Sequence, residues 1–575
     1  MKKTGAWLVV KALEQLPISH TFGVPGVHNT EIYDELNKSE KITPILVTHE
    51  GGGAFMADAV SRTSNNIGTM VIVPAAGITH ALSGIGEAFL DGIPMLIISG
   101  GIRTDVNKRY QLHEWDMHSV LSGITKKTFK IKHHQDIMPS IFEAYKIAIS
   151  GNPGPVFIEI PVNIQLFKGD VSEIISYTQI NNKPEIIRSQ IKKAVDIISE
   201  SQKVGMFLGW GAKEATSISV EIAEKLNAPV STTLQGYSVF PGDHPLFTGM
   251  GFSEASVPAS ENAFKDIDCL IAVGTRFAEI PTGSFGAKVP ENLIHIDIDP
   301  EVFDKNYKSK LAINGDAEQV LIHLLSELTE RNIHKSNAGL IDLISNDKAS
   351  YNKEWEEHKF TNVNPYHFFK SLRRNLEDDA ITVVDDGNHT FLTVELFKNL
   401  KSKHLISPTD FNCMGYCVPA SIGVKLSNPN KQVVGIVGDG AFLMTGLELL
   451  TAKRNNLGIV IFVFHDGELS QISQGQEIPY NRKTATQLGD FKLEGIAKAV
   501  GADYLLINED SEIDRKINLA LKEAKTNKIV LVDVNIDYNK RTRFTKGVVK
   551  VVLKNFPLSD KVRFIGRAIK RKVLG

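Results

Sequence analysis

Cysteine is nearly absent from this 575-residue chain, with only Cys269, Cys413 and Cys417. Three isolated thiols build no disulfide framework and offer no zinc-ligand spacing, so a reducing, cytoplasmic setting is expected. Neither charge sign dominates. Lys and Arg number 64 against 66 Asp and Glu, and a net charge of −2 gives no reason to expect nucleic acid as a partner. No apolar run reaches the roughly 18 residues of a membrane span. The basic opening Met1-Lys2-Lys3 leads into an apolar stretch that Lys11 ends too early for a secretory signal. No tandem repeat at a period of about 20–50 residues is visible.

What the chain does have is an alternation of short β-branched runs with helical stretches, the pattern of α/β domains built on parallel sheets. Its length is enough for three or four domains. Three blocks are expected, at 1–170, 188–330 and 361–540. Strands are predicted at Ile45–Thr48, Thr69–Val73, Met95–Ser99 and Val156–Ile160 in the first block. The second has Val204–Leu208, Cys269–Val273 and Leu293–Ile298; the third has Ala380–Val384, Val433–Val437, Ile459–Phe464 and Ile529–Val534. Residues 171–187 and 331–360 are polar and read as a linker and as a linker or connecting helix. The first and third blocks both place glycines after buried strands, as similar folds would.

The most informative pair is Asp439 and Asp466. Asp439 ends the run Val-Val-Gly-Ile-Val-Gly-Asp, and Asp466 follows 27 residues later in Val-Phe-His-Asp-Gly-Glu. Leu443–Lys453 between them reads as a helix, so the unit is strand–helix–strand with parallel strands. Both carboxylates then emerge at one carboxyl edge, where open α/β sheets bind ligands. Two acids beside glycine amides suit a Mg²⁺ ion holding a diphosphate. An Asp at such a junction is also a common helix cap, and spacing alone leaves both roles open. In the first block, Leu46-Val47-Thr48-His49-Glu50 reads as a strand ending in Glu50, followed by three glycines that open a helix and permit close approach of a bulky group.

On these residues the chain resembles the thiamine-diphosphate-dependent enzymes of the acetohydroxyacid (acetolactate) synthase and 2-oxoacid decarboxylase type, over about residues 1–540. The resemblance is carried by Gly23-Val24-Pro25-Gly26, His49-Glu50 with Phe55-Met56-Ala57-Asp58, Gly387-Asn388-His389, Met414-Gly415-Tyr416 with Pro419-Ala420, and Gly438-Asp439-Gly440. It implies three doubly wound parallel-sheet domains: pyrimidine-binding, central and diphosphate-binding. It also implies a homodimer or homotetramer with shared active centres, thiamine diphosphate, and Mg²⁺.

By the same resemblance, Glu50 hydrogen-bonds the aminopyrimidine ring and drives cofactor activation. Asp439, Asp466 and the Glu468 carbonyl are ligands of Mg²⁺. Gly440 and Ala441 offer amides to the diphosphate, as does the Gly387-Asn388-His389 loop from another side. Met414 supports the bent cofactor, and the carbonyl of Asn412 meets the pyrimidine. Pro25, Gly26 and Gly438 complete the cofactor set. The sequence departs from the family at His465-Asp466, where Asn-Asn is usual. It departs again at Asn412, where Gly is frequent, and at Pro74-Ala75-Ala76-Gly77-Ile78-Thr79-His80, in place of Ser-Gly-Pro-Gly-x-x-Asn.

Simple decarboxylases carry an acid after Pro-Gly and a His-His pair further on. Here Val27 and Gln111-Leu112-His113 stand instead, which favours carboligation of the acyl carbanion equivalent to a second carbonyl. Non-ligating decarboxylation, 2-hydroxyacyl-CoA-type lyase chemistry and an inactive regulatory family member are the alternatives. His28, His80, Gln111 and His113 are candidate substrate residues, each equally readable as an ordinary loop residue. Gly209-Trp210-Gly211 and Gly274-Thr275-Arg276-Phe277 resemble a flavin-binding edge. Gly249-Met250-Gly251-Phe252 lacks the expected Gly-Met-His-Gly, and the favoured reading is without FAD. The tail, 541–575, is basic and amphipathic, with Val562, Ile565, Ile569 and Val573 on one stripe. Peripheral membrane contact, a lid over an anionic substrate and packing on the protein itself all fit that pattern.

Overall fold

A computed structural model describes residues 1–179 and 184–574. Its strands are the unbroken apolar runs, buried on both faces as parallel strands between helical layers must be. Ile459–His465 and Cys269–Val273, for example, hold almost no exposed side chain.

Three six-stranded parallel sheets result. The first runs, in spatial order, Thr43–Leu46, His20–Gly23, Gly68–Ile72, Met95–Gly101, Pro155–Pro161, Lys127–Lys130. The third runs Leu405–Ile406, Ile381–Val384, Val433–Gly438, Ile459–His465, Ile529–Asn535, Asp503–Ile507. Numbered along the chain, both follow the order 2-1-3-4-6-5, so the likeness expected of these blocks extends to topology. The middle sheet differs. Its order is Phe247–Met250, Val230–Thr232, Val204–Leu208, Cys269–Val273, Asn292–Asp297, Leu311–Asn314, or 3-2-1-4-5-6, with the order reversing between Val204–Leu208 and Cys269–Val273. Lys2–Thr4 pairs antiparallel with Lys168–Asp170 and fastens the chain's start to the end of the first block.

Several expectations shift. The strand read as ending in Glu50 stops at Leu46, and Glu50 is instead the first residue of the helix Glu50–Thr63. The helix read over Leu443–Lys453 is broken into Asp439–Thr445, a 3₁₀ turn Gly446–Glu448 and Leu449–Arg454. The break falls at a glycine against which the Phe442 ring packs; a Cβ at Gly446 would lie 2.7 Å from that ring. The polar stretch 331–360, read as a linker or connecting helix, holds the helix Leu340–Glu356, pinned by a fully buried Trp355. Part of the linker expected at 171–187 lies outside the described residues.

The tail forms two helices, Arg543–Asn555 and Leu558–Leu574. The first packs closely. Gly547 abuts Ala255, the Phe544 ring stacks on Phe391 at 4.1 Å, and Lys554 Nζ donates to both Glu254 oxygens at 2.6 and 2.7 Å. The second reaches the helix Ser470–Tyr480, where Arg571 donates to the Pro479 carbonyl at 2.9 Å and lies over the Tyr480 ring. Val562 and Ile569 of the apolar stripe stay exposed, and the side chains of Ile565 and Val573 lie outside the described set. No helix among the described residues is long and apolar enough to cross a membrane.

Candidate active site

Strands Val433–Gly438 and Ile459–His465 are parallel neighbours in register Gly438↔Phe464, so the residues that follow each meet at one carboxyl edge. Asp439 is buried there. Its Oδ2 accepts from the amides of Gly467 at 2.7 Å and Asp466 at 3.2 Å, and its Oδ1 from Gly440 at 2.8 Å. Burial pushes the Asp439 acid up, against the pull of those amides. Asp466, bonded by Ser470 Oγ, is pushed up to about 7, again chiefly by burial. Two adjacent carboxylates that both resist ionising are what a hard divalent cation would restore to the charged form. The Glu468 carboxylate is turned aside to Lys483, at 2.6 and 2.8 Å. No group of three or more His, Cys, Asp or Glu among the described residues could hold a metal alone. The two acids would therefore need backbone carbonyl and ligand oxygens to complete an octahedron, the usual Mg²⁺ arrangement with phosphate.

The Gly387–His389 loop faces this edge. Gly387 adopts φ 151°, and a Cβ there would strike the His389 ring at 2.6 Å. Burial pushes His389 down to about 3, so its imidazole is neutral. Asn388 Nδ2 and His389 Nε2 are buried with no hydrogen-bond partner. A buried orphan of this kind costs on the order of 1–3 kcal/mol, and an anionic guest beside Gly438 would satisfy both. The residues present thus fit a metal-bound diphosphate.

Met414 and Asn412 are placed by acids that sequence reasoning missed. Asp385 accepts from the amides of Gly415 at 2.9 Å and Cys417 at 2.7 Å; Glu87, in the first block, accepts from Cys413 at 3.1 Å and Thr409 at 3.0 Å. Asn412 takes φ 64° and Gly415 φ 85°, which folds the segment into a tight turn. Thr445 Oγ1 donates to the Gly415 carbonyl at 2.8 Å and ties Met414 to the helix that begins at Asp439.

On the first sheet's carboxyl edge, Glu50 opens its helix with His49 as cap. Glu50 Oε2 lies 2.9 Å from His80 Nδ1, and the His80 ring stacks on His49 at 4.5 Å. Gly77 leaves room beside the acid, since a Cβ there would approach Glu50 Oε1 to 3.2 Å. The turn at Pro25-Gly26 sits against Val73 and is held by Asn29 Oδ1, which accepts the Gly26 amide at 2.7 Å.

Models of thiamine pyrophosphate enzymes match the chain in three pieces: the N-terminal TPP binding domain at 3–120, the central domain at 191–324 and the C-terminal TPP binding domain at 385–534. The acetolactate synthase large subunit of Buchnera aphidicola subsp. Schizaphis graminum is 31% identical over 552 residues, covering 93% of this chain and 95% of that protein. The chain belongs to the thiamine pyrophosphate enzyme family. Acetolactate synthase isozyme 3 large subunit of Escherichia coli K12 is 29% identical, with 93% and 95% coverage. A probable acetolactate synthase large subunit of Methanocaldococcus jannaschii is 31% identical, with 93% and 92%.

Within this thiamine pyrophosphate enzyme the remaining candidates divide. His28 and His113 meet edge to face at 5.1 Å, and burial pushes His28 down. Gln111 is instead occupied in its own loop, donating to the carbonyls of Arg103 at 3.0 Å and Lys108 at 3.5 Å. No hydrogen bond, ion pair or ring contact among the described residues joins the Glu50 cluster to the Asp439 cluster. Beside the Glu50 helix the blocks are linked by Glu448, which accepts from the Thr48 amide at 2.9 Å and from its hydroxyl, and lies against Gly52. A cleft of about 770 Å³ opens where the central strand order reverses, lined by Gly211, Gly274, Arg276 and Asp297 of the central block and by Asp91, Ser150 and Asp410 of its neighbours, among others. Gly209 and Gly274 pack backbone to backbone, so a Cβ at Gly209 would lie 2.1 Å from the Gly274 carbonyl oxygen.

Proposed function

We propose that the chain is a thiamine-diphosphate- and Mg²⁺-dependent carboligase that decarboxylates a 2-oxoacid and joins its acyl carbon to a second carbonyl, in the manner of acetolactate synthase. The observation that carries this reading is the full-length likeness to acetolactate synthase large subunits, 31% over 93% of the chain, on a fold that retains Glu50, Met414 and Asp439. Bound thiamine diphosphate supplies the electron sink for loss of CO₂ and for carbon–carbon bond formation. Asp439, Asp466 and the Glu468 carbonyl would hold the metal. Asn388, His389 and the Gly440 and Ala441 amides would bind the diphosphate. The Asn412 carbonyl would orient the pyrimidine, and Met414 would support the cofactor. Glu50 would hold a proton for the pyrimidine ring nitrogen, with His80 fixing its carboxylate.

Product analysis across 2-oxoacids, with and without an aldehyde or second 2-oxoacid as acceptor, tests this. A carbon–carbon-bonded product is expected; free aldehyde as sole product in the presence of acceptor overturns it. The second reading, plain decarboxylation, draws on the His28–His113 contact, since an imidazole pair is able to deliver a proton.

The active centre is read as shared between two copies, Glu50 of one facing Asp439 of the other. Support comes from the separation of the two clusters within one chain. It also comes from the exposed Leu443, Met444 and Leu447 immediately after Asp439, at 45%, 59% and 60%. Mixing inactive Glu50→Gln and Asp439→Ala chains should restore activity, because one centre of each mixed dimer carries neither defect. For the tail, the contacts of Phe544, Gly547 and Lys554 favour packing on the protein over membrane contact. The central cleft has room for a nucleotide, and a flavin absorption band in purified protein would revise the reading without FAD.

A further inference from the structure

Glu50 is buried, and its two carboxyl oxygens meet different surroundings. Oε2 lies 2.9 Å from His80 Nδ1. Oε1 takes no hydrogen bond among the described residues and borders Gly77, which leaves it free for a pyrimidine ring on the reading proposed above. His80 belongs to the helix Ala76–Leu90, which follows the strand Gly68–Ile72. That helix and Glu50–Thr63 approach closely because small residues line their contact. A Cβ at Gly84 would lie 2.4 Å from the Ala54 Cβ, and one at Gly51 would lie 3.0 Å from the His80 carbonyl oxygen. The approach brings the imidazole against the acid.

The ring is oriented from two sides. His49 Nδ1 accepts the Gly51 amide at 3.1 Å, which fixes the His49 ring, and His80 stacks on it at 4.5 Å with 25° between the planes. With Nδ1 held at Glu50, Nε2 occupies the far end of the His80 ring. It has no partner among the described residues, and the His80 side chain is 50% exposed where that of Glu50 is 10% exposed. One imidazole thus spans from a buried carboxyl to open space.

The other titratable groups around the pair are not placed to carry a proton. Tyr33 donates to the Val71 carbonyl at 2.9 Å, and burial first, with Glu50 second, raises its hydroxyl so far that it keeps its proton. His49 spends Nδ1 on the Gly51 amide. Glu448 accepts from Thr48 and Thr451 beside Gly52. The family's usual Asn at this place would donate a hydrogen bond to Glu50, but an amide does not take up a proton at one end and release it from the other. Histidine does so near neutral pH.

We propose that His80 is the proton conduit of Glu50, a positioning residue of this chain that exchanges the buried acid with water. The proposal rests on the reading of Glu50 as the acid that serves the cofactor. In the loading direction, water or a buffer acid protonates Nε2 and Nδ1 passes its proton to Glu50 Oε2. One proton enters, and the imidazole ends neutral with its hydrogen on Nε2. Unloading reverses both transfers and restores the starting tautomer. A plain hydrogen bond from His80 moves no proton, and Asn would then serve as well.

The test uses the full-length enzyme with thiamine diphosphate and Mg²⁺. Proton–deuterium exchange on the bound cofactor should slow about tenfold or more in His80→Asn and in His80→Ala, short of the roughly hundredfold loss expected on removing the acid itself. Calorimetric cofactor affinity should stay unchanged in both variants, which reports a folded site. Added imidazole should restore exchange to His80→Ala; pyrazole, of the same shape and far less basic, should not. In the cofactor-free protein with labelled histidine, the His80 ring signal in NMR, identified by its loss in His80→Asn, should move in Glu50→Gln. Glu50→Gln measured alongside separates the failures. If it exchanges at the wild-type rate, the role of Glu50 itself falls; if it is slow while the His80 variants are not, the conduit alone falls. Wild-type exchange in His80→Asn, a defect in His80→Ala that neither azole restores, equal rescue by both azoles, or an unmoved His80 signal would each overturn the conduit.

Discussion

Removing the guanidinium of Arg62 should cost a large share of the protein's stability. Arg62 is 1% exposed. Its Nε meets Asp58 Oδ2 at 2.6 Å, its Nη2 meets Asp91 Oδ2 at 2.8 Å, and Glu87 Oε1 stands 3.9 Å away. Burial first, and Asp91 second, hold Glu87 well above the usual carboxylate range, and burial raises Asp58 against the pull of Arg62, so the guanidinium is the one cation in a cluster of buried acids. The Tyr416 hydroxyl donates to Asp58 at 2.6 Å, and Arg62 Nη1 reaches the Ser407 carbonyl at 3.4 Å. One side chain therefore neutralises the first block's acids and joins them to the segment that carries Asn412 and Met414.

Arg62→Met strands those acids without water. Breaking a buried pair from one side costs about 3–5 kcal/mol, comparable to the lower end of whole-domain stability. Asp58→Asn added to Arg62→Met removes one stranded charge and should recover part of the loss, giving a coupling of about 1–3 kcal/mol. Equilibrium urea unfolding of the four proteins in the cycle, followed by circular dichroism, measures both quantities. Thiamine diphosphate affinity should fall alongside stability in the single variant. A loss under about 1 kcal/mol, or strictly additive effects, would show that the cluster holds nothing together.

Glu50→Gln should keep cofactor binding and lose about a hundredfold or more in rate; near wild-type proton–deuterium exchange on the bound cofactor would contradict that role. Asp439→Ala should abolish Mg²⁺-dependent cofactor retention in calorimetry, whereas Asp466→Asn, which restores the family's usual residue and removes an acid pushed up to about 7, should be tolerated. Glu395 is pushed up to about 7 by burial from an ordinary 4.5. It keeps its proton in the folded state over that window while the unfolded chain loses it. Stability from this group is full below about 4.5 and falls as pH rises toward 7, by roughly 3 kcal/mol in all. Glu395→Gln should flatten that slope in urea titrations run at several pH values, and an unchanged slope would rule the group out.

The sequence made the central strands legible because continuous apolar runs have few other homes. Short strands were missed: His20–Gly23, inside the first sheet, and Lys127–Lys130, at its edge, mix polar and apolar residues, and nothing in four residues separates them from loop. Leu340–Glu356 left linker and connecting helix both open, since only Leu340, Ile344, Tyr351 and Trp355 turn inward. By their distinctive neighbourhood, Asp439 after its buried run, Glu50 before three glycines and His80 in an altered loop were singled out as candidates. Asp385, Glu87 and Glu448 were not. A single acid on a helix or after a strand is too common to stand out, and each acts on a segment 30 to 400 residues away. Asp385 did leave a trace, as Val383-Val384-Asp385 repeats the strand-then-acid pattern of Asp439. Gln111, a candidate from a polar region, donates its side-chain amide within its own loop.

The shared topology of the first and third sheets explains why the candidate chemistry is split as it is. In both, the loop after strand 1 carries a glycine turn, Gly26 in one and Gly387 in the other. The loop after strand 2 leads to Glu50 in the first sheet and to Met414 in the third. The loop after strand 3 leads to His80 or to Asp439. Equivalent positions have thus diverged in charge. The third sheet's edge gathers buried acids and orphaned donors, an environment that only a cation and an anion together would satisfy. The first sheet's edge offers one acid braced by an imidazole, suited to holding a single proton. A cofactor with a charged tail and a titratable ring needs both edges, each facing the other across it. Within one chain the first and third blocks meet through Glu448 with Thr48, Arg454 with Leu46 and Glu87 with Cys413, and no such bond among the described residues joins Glu50 to Asp439. On the proposed reading of a shared centre, the complement to each edge would be a second copy, which would also cover Leu443, Met444 and Leu447.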